Sequence, residues 1–347
     1  MSPDQDRAAA VPSTPGAWTA TAELYHRFLT GSLLALVVRQ GTDRAARVVF
    51  RIFRTQHLEL FEPGLRKLEL DTLPDAVACA KYHVLSNSIG GVDVAWIPDS
   101  DTKSWVRYRP PRWIFDGTAV CGIPSELSRA MLRGWHGHNG ISLGNPRLGF
   151  VCTMQTTDGQ PGLEGYYVEE DHELEEDDRV RFRPGERPPG PPVDLPVPDW
   201  EPERLAKAER NYAAAYVRNL LQAMPGELGP ADAVSTGVVA ARQIGMQFAP
   251  AVMDLLGAEP GASFGQRLGL LLAAQGDPVQ VEAGAGVEQI TMGSWRLLDG
   301  ASPVDGSAFE IWNGLFEGLA AMEDKRLVVE ARRDLGEPAT RWRILDR

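Results

Sequence analysis

Apolar side chains recur three or four positions apart in two stretches of the chain, residues 19–40 and 203–224. This spacing places the apolar side chains on one face of a helix. The recurring residues are Leu24, Phe28, Leu33, Leu36 and Val37 in the first stretch and Tyr212, Tyr216, Leu220 and Leu221 in the second. A second helical stretch follows each of them, 43–61 and 232–256, and begins with an aspartate suited to an N-cap. The pattern thus predicts a pair of helices at the start of each half of the chain.

Shorter stretches of alternating apolar and polar residues follow in each half and predict strands. Residues 103–108 (KSWVRY) and 293–298 (GSWRLL) share a Ser-Trp pair close to an arginine. A helix and a closing hairpin then complete each half, and they are predicted at 125–135 and 148–170, and at 307–322 and 325–347. This order of elements predicts an α+β fold in which helices pack on an antiparallel sheet.

Proline marks the boundary between the two halves. Residues 184–200 contain seven prolines in seventeen positions, and proline fixes φ and lacks an N–H donor. We therefore expect a disordered leader over 1–17, a first α+β domain over 18–183, an extended linker over 184–200 and a second α+β domain over 201–347. Because the element order repeats, we expect a tandem duplication that pairs its halves as an intrachain pseudo-dimer, with the second copy degenerate.

The two predicted hairpins carry the turns 159-GQPGLEGYYV-168 and 336-GEPATRWRI-344. The element order and these turns resemble the L-2-amino-thiazoline-4-carboxylate hydrolase family and the related 4-vinyl-reductase-like ligand-binding domains. The resemblance implies a small-molecule pocket between helices and sheet, and hydrolysis of a C–N bond in a small heterocycle that bears a carboxylate. The family's cysteine after the turn is replaced here by Gly162 or Leu163 in the first half and by Thr340 in the second. A role that depends on that thiolate therefore does not carry over.

Charge and composition exclude several classes of partner. The chain has 35 basic and 47 acidic residues, a net charge of −12, and no basic stripe, so no nucleic-acid partner is expected. Its apolar runs are too short to span a membrane. Three widely spaced cysteines without a CxxC pair fit the reducing cytoplasm. Richness in Ala, Gly, Pro and Arg is typical of a high-GC bacterium.

Residues 133–145 read RGWHGHNGISLGN and hold two of the six histidines of the chain. Imidazole titrates near neutral pH, which suits His136 and His138 to acid-base catalysis or to metal binding. A metal would need a further ligand, and the candidates are His83, Asp116 and Cys152. The alternative is a polar surface turn that caps the preceding helix, which would end at Gly140.

Two further groups of residues extend this candidate site. Tyr82 and His83 fall in 81-KYHVLSNSIGG-91, which reads as a strand; the alternative for His83 is a buried, hydrogen-bonded side chain. The segment 103–122 combines arginines, which bind carboxylates, with tryptophans, which form apolar walls. The residues expected to bind substrate are Arg107, Arg109, Arg112, Trp105, Trp113, Trp135, Asn139 and Tyr82. The alternative is that the arginines lie on an edge strand and face water.

These expectations lead to one main hypothesis and two alternatives. The main hypothesis is a hydrolase of bacterial small-molecule metabolism that cleaves a C–N bond, with His136, His138 and His83 as acid-base groups. The first alternative is a non-catalytic small-molecule-binding or sensor protein, and the second is an accessory interaction subunit. No cofactor is predicted, a divalent metal stays open, and self-association is an open expectation.

Overall fold

The computed structural model describes residues 9–109, 120–196, 200–284, 286–299, 306–333 and 338–346. Within these ranges the chain forms helices and two five-stranded sheets whose strands pair almost throughout in antiparallel fashion. This confirms the predicted α+β class. None of the helices in the described ranges combines the length and the apolar composition that crossing a bilayer requires.

The chain divides into two compact units. The central unit contains Leu36–Trp200, and the terminal unit combines the residues up to Ala35 with those from Glu201 onward. The sequence instead predicted that residues 18–183 form one domain, so the division differs in the placement of the first long helix. The predicted linker contains no helix over 184–196, the part that the structure describes without a gap, and its Val193 N–H donates to the Trp96 carbonyl within the central unit.

The central unit packs its helices on one five-stranded sheet. Its helices are α2 (Thr42–Lys67), α3 (Asp75–Ile89), α4 (Ser125–Gly134) and the short α5 (Asn139–Ser142). Its strands are β2 (Val94–Ser100), β3 (Lys103–Tyr108), β4 (Leu148–Met154), β5 (Leu163–Glu169) and β6 (Val180–Phe182), in the order β2-β3-β5-β4-β6. Helix α3 lies on β2, β3 and β5. Only the short edge strand β6 pairs in parallel, with β4.

The terminal unit also combines helices with one five-stranded sheet. Its helices are α1 (Pro15–Gln40), which continues past the division at Ala35, α6 (Pro202–Leu228), α7 (Pro230–Leu255), α8 (Phe264–Ala273) and α9 (Gly306–Glu323). Its strands are β1 (Ala9–Ala10), β7 (Val279–Gly284), β8 (Val287–Met292), β9 (Leu327–Arg333) and β10 (Thr340–Asp346), in the order β1-β7-β8-β10-β9. The four-strand orders β2-β3-β5-β4 and β7-β8-β10-β9 match position by position.

Three sequence predictions are wrong. Residues 9–17 are ordered rather than a disordered leader, because β1 pairs with β7 and the Ala17 side chain is fully buried; residues 1–8 lie outside the described ranges. Residues 81–91 belong largely to α3, not to a strand, because the helix begins at Asp75 and the short apolar alternation lies inside its periodicity. Ser294 and Trp295 precede a 3-10 helix, Arg296–Leu298, instead of forming a strand, because β8 ends at Met292.

Glycines let helix backbones touch in both units. A Cβ on Gly134 of α4 would lie 2.7 Å from the Phe50 carbonyl oxygen of α2. In the terminal unit, a Cβ on Gly245 of α7 would collide with the Leu315 carbonyl oxygen of α9, and one on Gly318 would collide with that of Arg242. Backbone atoms do not move aside as a flexible side chain does, so these helix pairs exclude even a methyl group.

Gly245→Ala should therefore destabilise the protein by about 1–3 kcal/mol, the usual cost of overpacking a core. The matched control is Gly226→Ala, because Gly226 lies in α6 with open space where its Cβ would be. That substitution should stabilise the protein by up to about 1 kcal/mol, since alanine favours helix over glycine. Urea denaturation of both variants measures the difference, and equal effects would contradict the close-contact account.

Candidate functional site

Three of the predicted site residues come together on the helix-covered face of the central sheet. His83 lies in α3, His136 in a 3-10 helix that follows α4, and Asn139 at the start of α5. Tyr108 of β3 and Tyr167 of β5 meet them from the sheet. We call these five side chains the histidine–tyrosine cluster; each is at most 6 % exposed.

Hydrogen bonds and ring stacking connect the whole cluster. The His83 and His136 rings stack with centroids 4.3 Å apart and planes 13° from parallel. The Tyr108 hydroxyl lies 2.8 Å from His83 Nδ1, and the Tyr167 hydroxyl lies 2.6 Å from His136 Nδ1. Asn139 Nδ2 donates to the Tyr167 hydroxyl at 2.9 Å and lies 3.4 Å from His83 Nε2. Both imidazole rings are thus fixed by stacking on each other and by a hydrogen bond between each Nδ1 and a tyrosine hydroxyl.

Local structure explains why these side chains point inward. Alternation along a strand directs Tyr108 to the same face of the sheet as Val106 and Ser104. Helix α4 ends at Gly134, where it touches the α2 backbone, and the following turn carries His136 under the sheet. Burial raises the pKa of Tyr167 well above its ordinary value, so its hydroxyl stays protonated as a hydrogen-bond group.

The alternative of a polar surface turn is wrong for most of this segment. His136 is buried and Asn139 is fully buried, and only His138 is partly exposed. The preceding helix ends at Gly134 rather than at Gly140, which lies inside α5. A Cβ at Gly140 would lie 2.6 Å from the carbonyl oxygens of Asn145 and Leu148. For His83, the alternative of a buried, hydrogen-bonded side chain describes its surroundings correctly.

An aromatic layer surrounds the cluster on its helix side. The Trp135 ring lies 6.1 Å from His83, 6.5 Å from Tyr82 and 5.6 Å from His57. The His57 ring also stacks on Phe61 at 4.8 Å, and its Nε2 lies 2.9 Å from the Ser142 hydroxyl. Tyr82 and Trp135 therefore lie beside the histidines.

Two of the histidines in this layer are kept neutral. Burial, with the nearby Arg54 guanidinium and His138, lowers the pKa of His57 to about 3. Burial also lowers the pKa of His138, together with Arg54, against the opposing effect of its hydrogen bond to the Arg133 carbonyl. Both imidazoles are consequently uncharged at neutral pH, and His57 is a weak base.

Besides Arg54 Nη1, three buried polar atoms of this region lack a hydrogen-bond partner among the described residues: Asn139 Oδ1, Trp135 Nε1 and His57 Nδ1. Turning the Asn139 amide over would leave its nitrogen unpaired instead of its oxygen. Each such group costs about 1–3 kcal/mol when it is desolvated without a partner. The aromatic layer and the adjoining histidine–tyrosine cluster thus contain three such polar atoms that the described chain leaves unsatisfied.

Sequence reasoning missed His57 and Tyr167. The burial of His57 could have been predicted, because it lies four residues from both Phe53 and Phe61, and all three face the core from α2. The role of Tyr167 depends on the register of β5 beside β3, in which Tyr167 pairs with Ser104. No local pattern in the sequence encodes that register.

Arg107 and Arg109, two of the arginines predicted to bind substrate, lie away from the histidine–tyrosine cluster. Trp105 and Arg107 alternate with Tyr108 along β3 and so point to the opposite face of the sheet. Arg107 Nε lies 2.5 Å from a Glu164 carboxylate oxygen. Arg109, outside the strand, pairs with the exposed Asp93 at 3.2 Å. The buried Trp105 donates to Asp99.

Arg107 and Arg109 thus already bind carboxylates of the chain itself. Arg112 and Trp113 lie outside the described residues, as does Asp116.

The two buried cysteines, Cys79 and Cys152, are not activated thiols. Burial raises the pKa of Cys152 to about 12 and raises the pKa of Cys79 still further from its ordinary range. Both side chains remain thiols at neutral pH, and a thiol is a poor nucleophile compared with a thiolate. Among the residues that the structure describes, no three His, Cys, Asp or Glu side chains lie close enough together to hold a metal ion.

The Arg107–Glu164 pair gives a test of its structural role. Arg107→Met should destabilise the protein by about 1–3 kcal/mol, because the buried Glu164 carboxylate loses its counter-ion. The double variant Arg107→Met, Glu164→Met should recover most of that loss. Arg109→Met removes an exposed pair and should cost less than about 1 kcal/mol. Urea denaturation at pH 7 compares the three; a neutral Arg107 variant would contradict the structural role.

His57 predicts a particular dependence of stability on pH. Its pKa of about 3 in the folded chain lies below the ordinary 6.5, so the unfolded chain takes up the proton first as the pH falls. Folding stability should therefore decrease from about pH 6.5 towards pH 3, with a limiting slope near 1.4 kcal/mol per pH unit. His57→Phe should lose that contribution, while the exposed control His172→Gln should retain it. Identical slopes in all three proteins would refute the assignment.

Comparisons with known proteins do not assign this chain to a family: no family model matches it, and neither a curated protein nor a solved structure is recognisably similar to it. The resemblance to thiazoline-carboxylate hydrolases and to the 4-vinyl-reductase-like domains therefore stays a prediction from its own motifs. Function has to be argued from the residues of the site.

Proposed function

We propose that this chain is a non-catalytic small-molecule-binding protein whose ligand lies in the aromatic layer of the central unit. The observation that carries the proposal is the set of unpaired buried atoms, Trp135 Nε1, His57 Nδ1 and Asn139 Oδ1. Native proteins rarely leave such groups unsatisfied, and each instance calls for an explanation. A bound molecule that hydrogen bonds to them recovers the cost.

The surroundings define the chemistry of this ligand. The aromatic rings of this layer belong to Trp135, His57, Phe61 and Tyr82. His57 is neutral at physiological pH, and the unpaired atoms include a tryptophan donor and an amide. A small, flat, uncharged compound that carries both a donor and an acceptor fits this environment. His138, partly exposed beside His57, gives the layer contact with solvent.

Binding has more support than catalysis by the same residues. A general base works best when its pKa lies near the operating pH, whereas the pKa of His57 is about 3. His83 and His136 are stacked on each other and each hydrogen bonds to a tyrosine. The hydrolase predicted from the family resemblance would need a substrate to displace one of these contacts. The hydrolase and the accessory subunit both stay predictions with less support from the geometry.

The proposal includes a tandem duplication in which one copy keeps the site. The repeated element order and the matching strand orders of the two sheets support it. Glycine also allows close contact between α2 and α4 in the central unit and between α7 and α9 in the terminal unit. All six histidines of the chain precede residue 173, so residues 201–347 contain none. This asymmetry fits a second copy that has kept the scaffold and lost the site.

Native mass spectrometry of the purified protein tests the proposal. The folded protein should show a discrete excess mass that disappears on denaturation. Trp135→Phe keeps an aromatic ring but removes the unpaired donor, so it should reduce occupancy about tenfold while the protein stays folded. A wild-type protein that carries no ligand, in extracts as well as after purification, would contradict the proposal.

The matched control is Trp105→Phe. The Trp105 indole is also buried, but it already donates to Asp99 at 3.0 Å and lies on the other face of the sheet. This variant should lose stability, because Asp99 loses its donor, and should retain full occupancy. Loss of the ligand in both tryptophan variants would indicate a general loss of structure instead of a local site.

A further inference from the structure

The terminal unit contains a cavity of about 160 Å³ that the binding site proposed above does not involve. It lies between the middle of α6, the chain just after α8 and the 3-10 helix Arg296–Leu298. Its lining residues are Arg210, Asn211, Ala214, Ala215, Arg218, Gln275, Arg296 and Leu297. Three of these side chains are guanidinium groups, and no described lining residue is acidic. The cavity therefore concentrates positive charge.

Arg210 is the unusual member of this set. It is only 7 % exposed, its Nε is buried without a hydrogen-bond partner, and no carboxylate of the described chain lies within ion-pair distance of it. Arginine is rarely buried without a counter-ion, because a desolvated charge is costly. Burial also lowers the pKa of Arg210, against the opposing effects of Tyr25 and Asp277. The charged form of Arg210 thus lacks a direct partner.

Asp277 acts on Arg210 through its negative charge and is engaged through one of its two oxygens, while its Oδ2 is buried without a partner in the described part of the chain. One carboxylate oxygen accepts from the Ser294 hydroxyl at 2.5 Å and from the Arg296 backbone N–H at 3.1 Å. Burial raises the pKa of this carboxyl, so it is held in its charged form less strongly than an exposed aspartate. Asp277 reduces the electrostatic cost of Arg210 from a distance but does not pair with it.

A second arginine converges on the same place. Gly276 has φ +89°, and a Cβ built there would lie 3.5 Å from Arg296 Nη1 and 3.9 Å from Arg210 Nη1. Two guanidinium groups therefore flank one backbone position that has no side chain. Two guanidinium groups that approach one position repel each other, and an anion bound between them would offset that repulsion. Glycine at this position satisfies the left-handed backbone and also leaves the space beside the two arginines open.

The cavity also presents an uncharged group for hydrogen bonding. Gln275 lines it, is 8 % exposed, and its Oε1 is buried without a partner in the described part of the chain. An amide with an unsatisfied end is a costly feature in a core. Asn211 and Arg296 lie at the exposed rim, so the cavity is reachable from solvent.

From this geometry we propose that the terminal unit binds a small oxyanion of the phosphate class, held by Arg210 and Arg296 with Gln275 and Arg218 beside it. Guanidinium groups bind phosphate oxygens through charge-assisted hydrogen bonds. A dianion compensates converging arginines better than a single carboxylate does, and a volume of about 160 Å³ accommodates an ion of this size. The anion is either free phosphate or the head group of a phosphomonoester.

Calorimetric titration of the full chain with inorganic phosphate at pH 7.5 and low ionic strength tests the site. Saturable binding of one phosphate per chain is expected. Arg210→Gln and Arg296→Gln should each weaken it about tenfold, the scale of one charge-assisted hydrogen bond. Arg296 is exposed, so its variant keeps the test valid even if Arg210→Gln impairs folding. Parallel titration with glycerol phosphate identifies the source: tighter binding indicates a phosphomonoester, and weaker binding indicates the free ion.

Arg341→Gln is the matched control, because it removes the same charge from an exposed position on β10. It should change phosphate affinity less than about twofold. Absence of saturable binding, or equal weakening in all three arginine variants, would overturn the proposal. This result is independent of the aromatic site, whose ligand is followed by mass spectrometry and whose variants lie in the central unit.

Discussion

Direct contact between helix backbones is the constraint on which much of each unit depends. In the central unit, Gly134 lets α4 meet the α2 backbone, and the helix ends at that point. The chain then turns inward and places His136 and Asn139 beneath the sheet. In the terminal unit, Gly245 and Gly318 serve α7 and α9 in the same way. A contact that requires the smallest residue thus determines where the polar groups of the core lie.

The long amphipathic helices, the closing hairpins and the α+β class were predictable, because their periodicity extends over many residues. The errors concern short segments. Residues 81–91 showed an alternation too brief to distinguish a strand from part of the helix that begins at Asp75. The pairing of β1 with β7 joins residues about 270 positions apart, and no local pattern signals such a contact. The Ser-Trp pair recurred in sequence but not in structure.

Part of the candidate site was named from residue types alone. His83, His136 and Asn139 were singled out in the sequence and lie together in the structure, whereas the tyrosines that hold them depend on strand register. The ion pair of Arg107 could not be predicted from the sequence, since its counter-ion is Glu164, 57 positions away. For Arg210, nothing in the sequence indicated that an ion pair is missing. An arginine on a helix reads as a solvated side chain, and only the fold reveals that it is buried without an ion pair.

The placement of α1 has a consequence for the order in which the protein is made. Residues up to Ala35 belong with those from Glu201 onward, so the central unit is an insertion within the terminal one. The Tyr25 hydroxyl accepts its hydrogen bond from Trp312, which the ribosome adds 287 residues later. Domains generally fold as units during synthesis, so the central unit can close first. The apolar residues of α1 that pack within the terminal unit therefore remain without these partners until the last part of the chain has been synthesised.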